Sequence, residues 1–150
     1  MEKDKKMISL KYLMVEDNKD HAFIVMNTIK KLDPQSSITH LSNGEEAISY
    51  LADIKDENYP DIILLDIKMP IKNGFDVLAY IRSQEELRHL PVIMLSTSSQ
   101  NKEIKDSYKM GANTYLTKPV NYSEFVRIIS ELNDYWSDVA SLPFTGEKNG

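Results

Sequence analysis

The chain is 150 residues long, carries a net charge of −5 and has no cysteine. The length suits one domain with an ordinary core, and the missing cysteines exclude disulfides, thiol catalysis and thiolate metal sites. An apolar fraction of 41% and a charged fraction of 27% are those of a soluble globular protein, and the acidic balance leaves no electrostatic footprint for a nucleic-acid backbone.

The opening MEKDKKMISLKYLMV is too charged, and its apolar run too short, for a secretory signal. No segment approaches the length of a membrane span, so the expected location is the cytoplasm. Short apolar runs then alternate with helical stripes. KYLMV (11–15) predicts a buried strand, and Ala22, Val25, Met26, Ile29 and Leu32 follow at helical spacing. SSITHLS (36–42) alternates weakly and suits an edge strand. In NGEEAISYLADI (43–54), Asn43 reads as a cap and Ala47, Ile48 and Leu51 as one helix face.

DIILL (61–65) predicts the third strand, and Phe75, Leu78 and Ile81 stripe a helix after Asn73–Gly74. PVIML (91–95) predicts the fourth strand. A polar helix is expected from about Asn101 to Met110, ended by GAN (111–113), with TYLT (114–117) as the fifth strand. The last helix carries Phe125, Ile128, Ile129, Leu132 and Trp136 on one face. Five strand–helix units predict an α/β fold, with a mostly parallel sheet covered on both sides.

A domain of residues 8–140 is expected, with flexible tails over 1–7 and 141–150 and no output domain. LPFTG (142–146) matches a cell-wall anchoring pattern, but EKNG follows where that process needs an apolar segment. The match is expected to be chance.

In open α/β sheets, ligands bind at the carboxyl ends of strands where strand order reverses. Glu16 and Asp17 stand after the first strand, Asp66 after the third, Ser96 and Thr97 after the fourth, and Lys118 and Pro119 after the fifth. Taken singly, each reads equally well as a solvated loop residue. Asp17 or Asn18 could also cap the first helix. Together they bring three acids, two hydroxyls and a lysine to one edge. Crowded carboxylates raise one another's pKa, and a hard cation such as Mg²⁺ removes that conflict. A lysine and a hydroxyl complete a set able to hold a phosphoryl group, and an Asp can itself be the nucleophile.

MVEDN, LLDIKMPIKNG, PVIMLSTS and GANTYLTKP stand in the order and spacing of a known family. The chain resembles the receiver domains of two-component response regulators from about Lys11 to Trp136. The resemblance implies a doubly wound, flavodoxin-like three-layer sandwich with strand order 2-1-3-4-5. It implies that Asp66 is the phosphoacceptor and Asp17 a direct Mg²⁺ ligand, with Glu16 acting through water and the Lys68 carbonyl completing the protein's share. Mn²⁺ is an expected substitute. Lys118 and Ser96 should contact the phosphoryl oxygens. Tyr115 should turn inward as Ser96 moves, the Lys118–Pro119 bond should be cis, and Gly74 should serve the helix entry.

Lys68 and Ser98 occupy positions that tune phosphate lifetime in the family, and Thr97 is larger than the small residue often found there. A narrower likeness, carried by LSTSSQNKEIKDSYKMGANTYLTKPVNYSEF and ELNDYW, is to stand-alone receivers paired with phytochrome-type or hybrid histidine kinases. The implied partners are a sensor histidine kinase or phosphotransfer protein and an unknown downstream protein. A homodimer through the fourth helix, fifth strand and fifth helix is one form the readout could take. Tyr108, Tyr122 and Trp136 are candidates for such a face, although Trp136 reads equally as packing for the last helix.

Two rivals are weighed. A phosphatase of the haloacid dehalogenase type needs a second Asp two positions after its nucleophile, where Lys68 stands. A structural pseudo-receiver would have a damaged acidic site, whereas Glu16, Asp17, Asp66, Ser96 and Lys118 are all present. Nucleic-acid and membrane partners are not expected.

Overall fold

The apolar runs KYLMV, IILL and VIMLS form the three central strands of a parallel sheet. The computed structural model describes residues 8–143. Its strands are β1 (Lys11–Val15), β2 (Ser37–Leu41), β3 (Ile62–Leu65), β4 (Val92–Ser96) and β5 (Thr114–Thr117). They lie in the order β2-β1-β3-β4-β5, the doubly wound order expected. Every pairing is parallel, with Val15 beside Leu65 and Ser96 beside Thr117.

Side chains on a strand point alternately to opposite faces, so each central strand feeds two cores. Leu13, Val15, Ile63, Leu65, Val92 and Met94 pack on one face. Tyr12, Met14, Ile62, Leu64, Ile93 and Leu95 pack on the other. The first face is covered by α2 (Gly44–Ala52) and α3 (Gly74–Ser83), the second by α1 (Lys19–Leu32) and α5 (Tyr122–Asp134). Continuous apolar runs are the sequence mark of strands buried on both faces. β2, at the edge, is only half-buried.

Asparagine caps set the starts of four helices. The side chains of Asn18, Asn43, Asn73 and Asn121 accept from the backbone N–H of His21, Glu46, Asp76 and Glu124. Each cap supplies a partner to an N–H that the helix leaves open, worth about 1 kcal/mol. Helix α4 (Asn101–Lys109) is different. It has no side-chain cap, and Ser107 is its one buried residue. Few buried contacts mark the low-stability parts of a fold.

Several details depart from expectation. Leu32 is exposed rather than part of the buried face of α1. The last α-helix gives way at Tyr135 to a π turn (Tyr135–Val139), where Trp136 packs against the second core. Leu142 also packs there, so the tail is not free from Ser141 onward. The tail residues 1–7 and 144–150 lie outside the described residues, as does most of LPFTG. A short 3-10 turn (Asp56–Asn58) precedes β3.

Candidate functional site

Four strands deliver the expected residues to one edge of the sheet. Glu16 and Asp17 follow β1, Asp66 follows β3, Ser96 ends β4, and Lys118 follows β5. Glu16, Asp66, Ser96 and Lys118 are buried, while Asp17 is exposed. Carboxylate oxygens of Glu16, Asp17 and Asp66 all lie within 4.8 Å of one another. These are oxygen donors of the kind a hard divalent cation takes, so the residues present fit a metal ion.

Lys118 is the positive centre. Its Nζ lies 2.7 Å from Glu16 Oε1 and 3.5 Å from Asp66 Oδ2. A third neighbour, His21 Nδ1, is 2.9 Å away. Asp66 Oδ1 accepts from the Ile67 N–H at 2.8 Å, and Glu16 Oε2 accepts from the Asn18 N–H at 3.1 Å. Burial and the Asp66 carboxylate push Glu16 up to about 7, against the pull of Lys118. This is the conflict that a cation relieves. Burial, then the Lys118 ammonium, push His21 below the ordinary histidine value.

The loop between β3 and α3 is built around close backbone approaches. A Cβ on Gly74 would collide with the Asp66 carbonyl oxygen, and one on Gly44 with the Lys72 carbonyl oxygen. Each glycine is the first residue of its helix, so two helix starts clamp this loop. Gly74 N–H also donates to the Ile67 carbonyl at 2.8 Å. Within the loop, Lys72 N–H donates to the Pro70 carbonyl across Ile71, whose φ is +71°. That is a γ-turn in the left-handed region, sparsely populated for a β-branched residue. Lys68 is exposed and lines a cleft of about 530 Å³ together with Asp17, Met69 and Phe75.

On the other side of the site a polar chain leads away from Ser96. The Ser98 N–H donates to Ser96 Oγ at 3.2 Å. The Tyr115 hydroxyl donates to the Ser98 carbonyl at 2.7 Å, and the Tyr115 N–H donates to the Tyr108 hydroxyl at 3.1 Å. Tyr115 is already buried against the first core. Tyr108 and Tyr122 are exposed.

One expectation is corrected. The Lys118–Pro119 bond is trans, since no cis peptide bond occurs among the described residues. In this form the Lys118 N–H donates to the Ser96 carbonyl at 2.7 Å while its ammonium still reaches Glu16. An X–Pro bond favours trans by only about 0.5–1 kcal/mol. Two residues escaped the reading of strand ends, His21 and Gly44. His21 lies one helical turn beyond Asp17, which places it on the same edge. For Gly44 no local signal exists, because its contact is with residue 72.

Comparison with known proteins decides the family. The model of the response regulator receiver domain matches residues 12–130. The chain belongs to the response regulator receiver domain family. Among curated relatives, it is 33% identical over 126 residues to the probable methanogenesis regulatory protein FilR2 of Methanothrix harundinacea, covering 83% of this chain and 81% of that one. It is 30% identical over 134 residues to the response regulator Rcp1 of Synechocystis sp., covering 87% and 91%.

The crystal structure of the phosphorylated cyanobacterial phytochrome response regulator RcpA superposes with a TM-score of 0.85. It shares 33% identity and covers 91% of this chain and 99% of its own. The Mn²⁺-bound form of Rcp1 gives a TM-score of 0.82 at 30% identity, covering 89% and 99%. No helix among the described residues of this receiver domain is long and apolar enough to cross a membrane.

Proposed function

We propose that this receiver domain accepts a phosphoryl group on Asp66 from a sensor histidine kinase or a phosphotransfer protein. The observation that carries the reading is the convergence of Glu16, Asp17 and Lys118 on Asp66. An Asp66 carboxylate oxygen attacks the phosphorus of a phosphohistidine. The P–O bond forms as the P–N bond breaks, and the imidazole leaves with the electron pair and takes up a proton. Such transfer depends on positioning and charge neutralisation.

Asp17, Asp66, Glu16 through water, and the Lys68 carbonyl would hold Mg²⁺, with Mn²⁺ a substitute. The ion supplies charge neutralisation at the phosphoryl oxygens. Lys118 supplies a second positive charge to them and Ser96 a hydroxyl. The Mn²⁺-bound Rcp1 and phosphorylated RcpA structures support both parts. They also support a phytochrome-type kinase as the donor, and a cytoplasmic setting goes with that.

The product is a signal rather than a released substrate. Phosphorylation biases a two-state surface, and the polar chain from Ser96 through Ser98 and Tyr115 to Tyr108 leads to α4. That helix has no side-chain cap, and only Ser107 of it is fully buried, with Ile104 packing part-buried on the first core. The readout face is therefore α4, β5 and α5, presented to a downstream protein or a second copy. Incubation with acetyl phosphate and Mg²⁺ should add one phosphoryl group, and excess EDTA should abolish the gain. Equal labelling with and without chelator would refute the metal-assisted reading.

A further inference from the structure

Lys118 has a partner that the acidic cluster does not explain. His21 stands in the first turn of α1, its backbone N–H held by the Asn18 cap. Its Nδ1 is 2.9 Å from Lys118 Nζ. An ammonium group only donates, so Nδ1 is the acceptor and the ring is neutral with its proton on Nε2. Phe125 of α5 meets the ring edge-on, centroids 5.7 Å apart and planes at 63°. The ring therefore bridges the two helices that flank the site, with its orientation set from one side by Phe125 and from the other by Lys118.

We propose that His21 is a positioning residue for phosphoryl transfer, orienting the Lys118 ammonium toward Asp66 without neutralising it. This rests on Asp66 being the phosphoacceptor. A lysine side chain carries about 2 kcal/mol of rotamer entropy, so an ammonium that must meet a phosphoryl oxygen gains from a fixed partner. Lys118 has three N–H donors. One meets Glu16, one meets His21, and Asp66 Oδ2 lies 3.5 Å away for the third. A carboxylate at position 21 would hold the lysine equally well but would cancel the charge that the phosphoryl oxygens need. A neutral imidazole holds it and leaves the charge intact. The low exposure of Lys118 makes this matter more, because little water is present to take over either task.

The test is the rate of phosphoryl gain from acetyl phosphate and Mg²⁺ in wild type, His21→Leu and His21→Asn. The Asn side-chain oxygen can stand close to the place of Nδ1, whereas Leu offers no acceptor. Loss of one hydrogen bond to a charged group predicts about a tenfold slower rate for His21→Leu. His21→Asn should recover most of it. Mg²⁺ affinity, read from the metal-induced rise in thermal stability, should be the same in all three.

His21→Leu labelling at the wild-type rate would overturn the proposal, and so would His21→Asn falling as far as His21→Leu. Wild type that takes no label overturns the Asp66 reading and this one with it, whereas labelled wild type with an unaffected leucine variant overturns this one alone. Nitrogen NMR of the wild type gives a check independent of any variant. It should show His21 with its proton on Nε2, and a proton on Nδ1 would contradict the proposal.

Discussion

Lys118 Nζ and Glu16 Oε1 lie 2.7 Å apart, with side chains 1% and 3% exposed. Removing one member of a buried pair leaves an uncompensated charge, at a cost of about 3–5 kcal/mol. Lys118→Met should therefore destabilise the metal-free protein by about 3 kcal/mol or more near pH 8. Toward about pH 5 the loss should shrink, since Glu16 can take up a proton there. Urea denaturation at the two pH values measures this. A loss that is the same at both would contradict the role given to Glu16.

Glu16 makes a second prediction through linkage. Its carboxyl is raised from 4.5 to about 7 in the folded chain. A raised acid contributes stability that is fully present below the unfolded value and is lost as pH rises through the folded one. Metal-free protein should lose this contribution between about pH 4.5 and about pH 7, and Glu16→Gln should remove that slope. His21, pushed down, acts in the opposite sense: its contribution is present above the ordinary histidine value and lost as pH falls. The difference between wild type and Glu16→Gln isolates the Glu16 part. With Mg²⁺ present, the metal-induced stabilisation should grow across the same window, because the cation needs the ionised carboxylates.

Gly74→Ala tests the clamp on the loop. On an ordinary helix the change would stabilise by about 1 kcal/mol, since alanine is the better helix former. Here the added carbon meets the Asp66 carbonyl oxygen, so the expected result is a net loss of about 1–3 kcal/mol. Because the colliding atom belongs to Asp66, the proposed phosphoacceptor, labelling should slow as well. Gly74→Ala with wild-type stability and rate would show that the loop yields freely.

Much of this architecture was legible because burial follows local pattern. KYLMV and TYLT became strands with the expected limits, and the third strand starts one residue later than the expected DIILL, since apolar runs between polar turns have few alternatives. Asn43 and Asn18 were open to capping readings, and both caps formed. The rest depends on contacts between distant segments. Gly44 is special only because residue 72 passes over it, and His21 only because Lys118 arrives from β5. Nor does local sequence mark the switch from α-helix to π turn at Tyr135, where packing of Trp136 on the second core intervenes. The cis isomer that the family resemblance implies at Lys118–Pro119 is not the one this chain adopts.

Lys68 is exposed, two positions after Asp66, and shares a cleft with Asp17. Lys68→Ala should change the rate of self-dephosphorylation by about threefold or more, the size expected of one exposed charge interaction. The decay of phosphorylated protein after removal of the donor measures it. An unchanged decay would remove Lys68 from the account.

Intact-mass measurement after incubation with acetyl phosphate and Mg²⁺ tests the proposed role of Asp66 most directly. Wild type should gain one phosphoryl group and Asp66→Asn should gain none, with the amide variant still folded by circular dichroism. Equal labelling of the two proteins would contradict the assignment of Asp66 as phosphoacceptor.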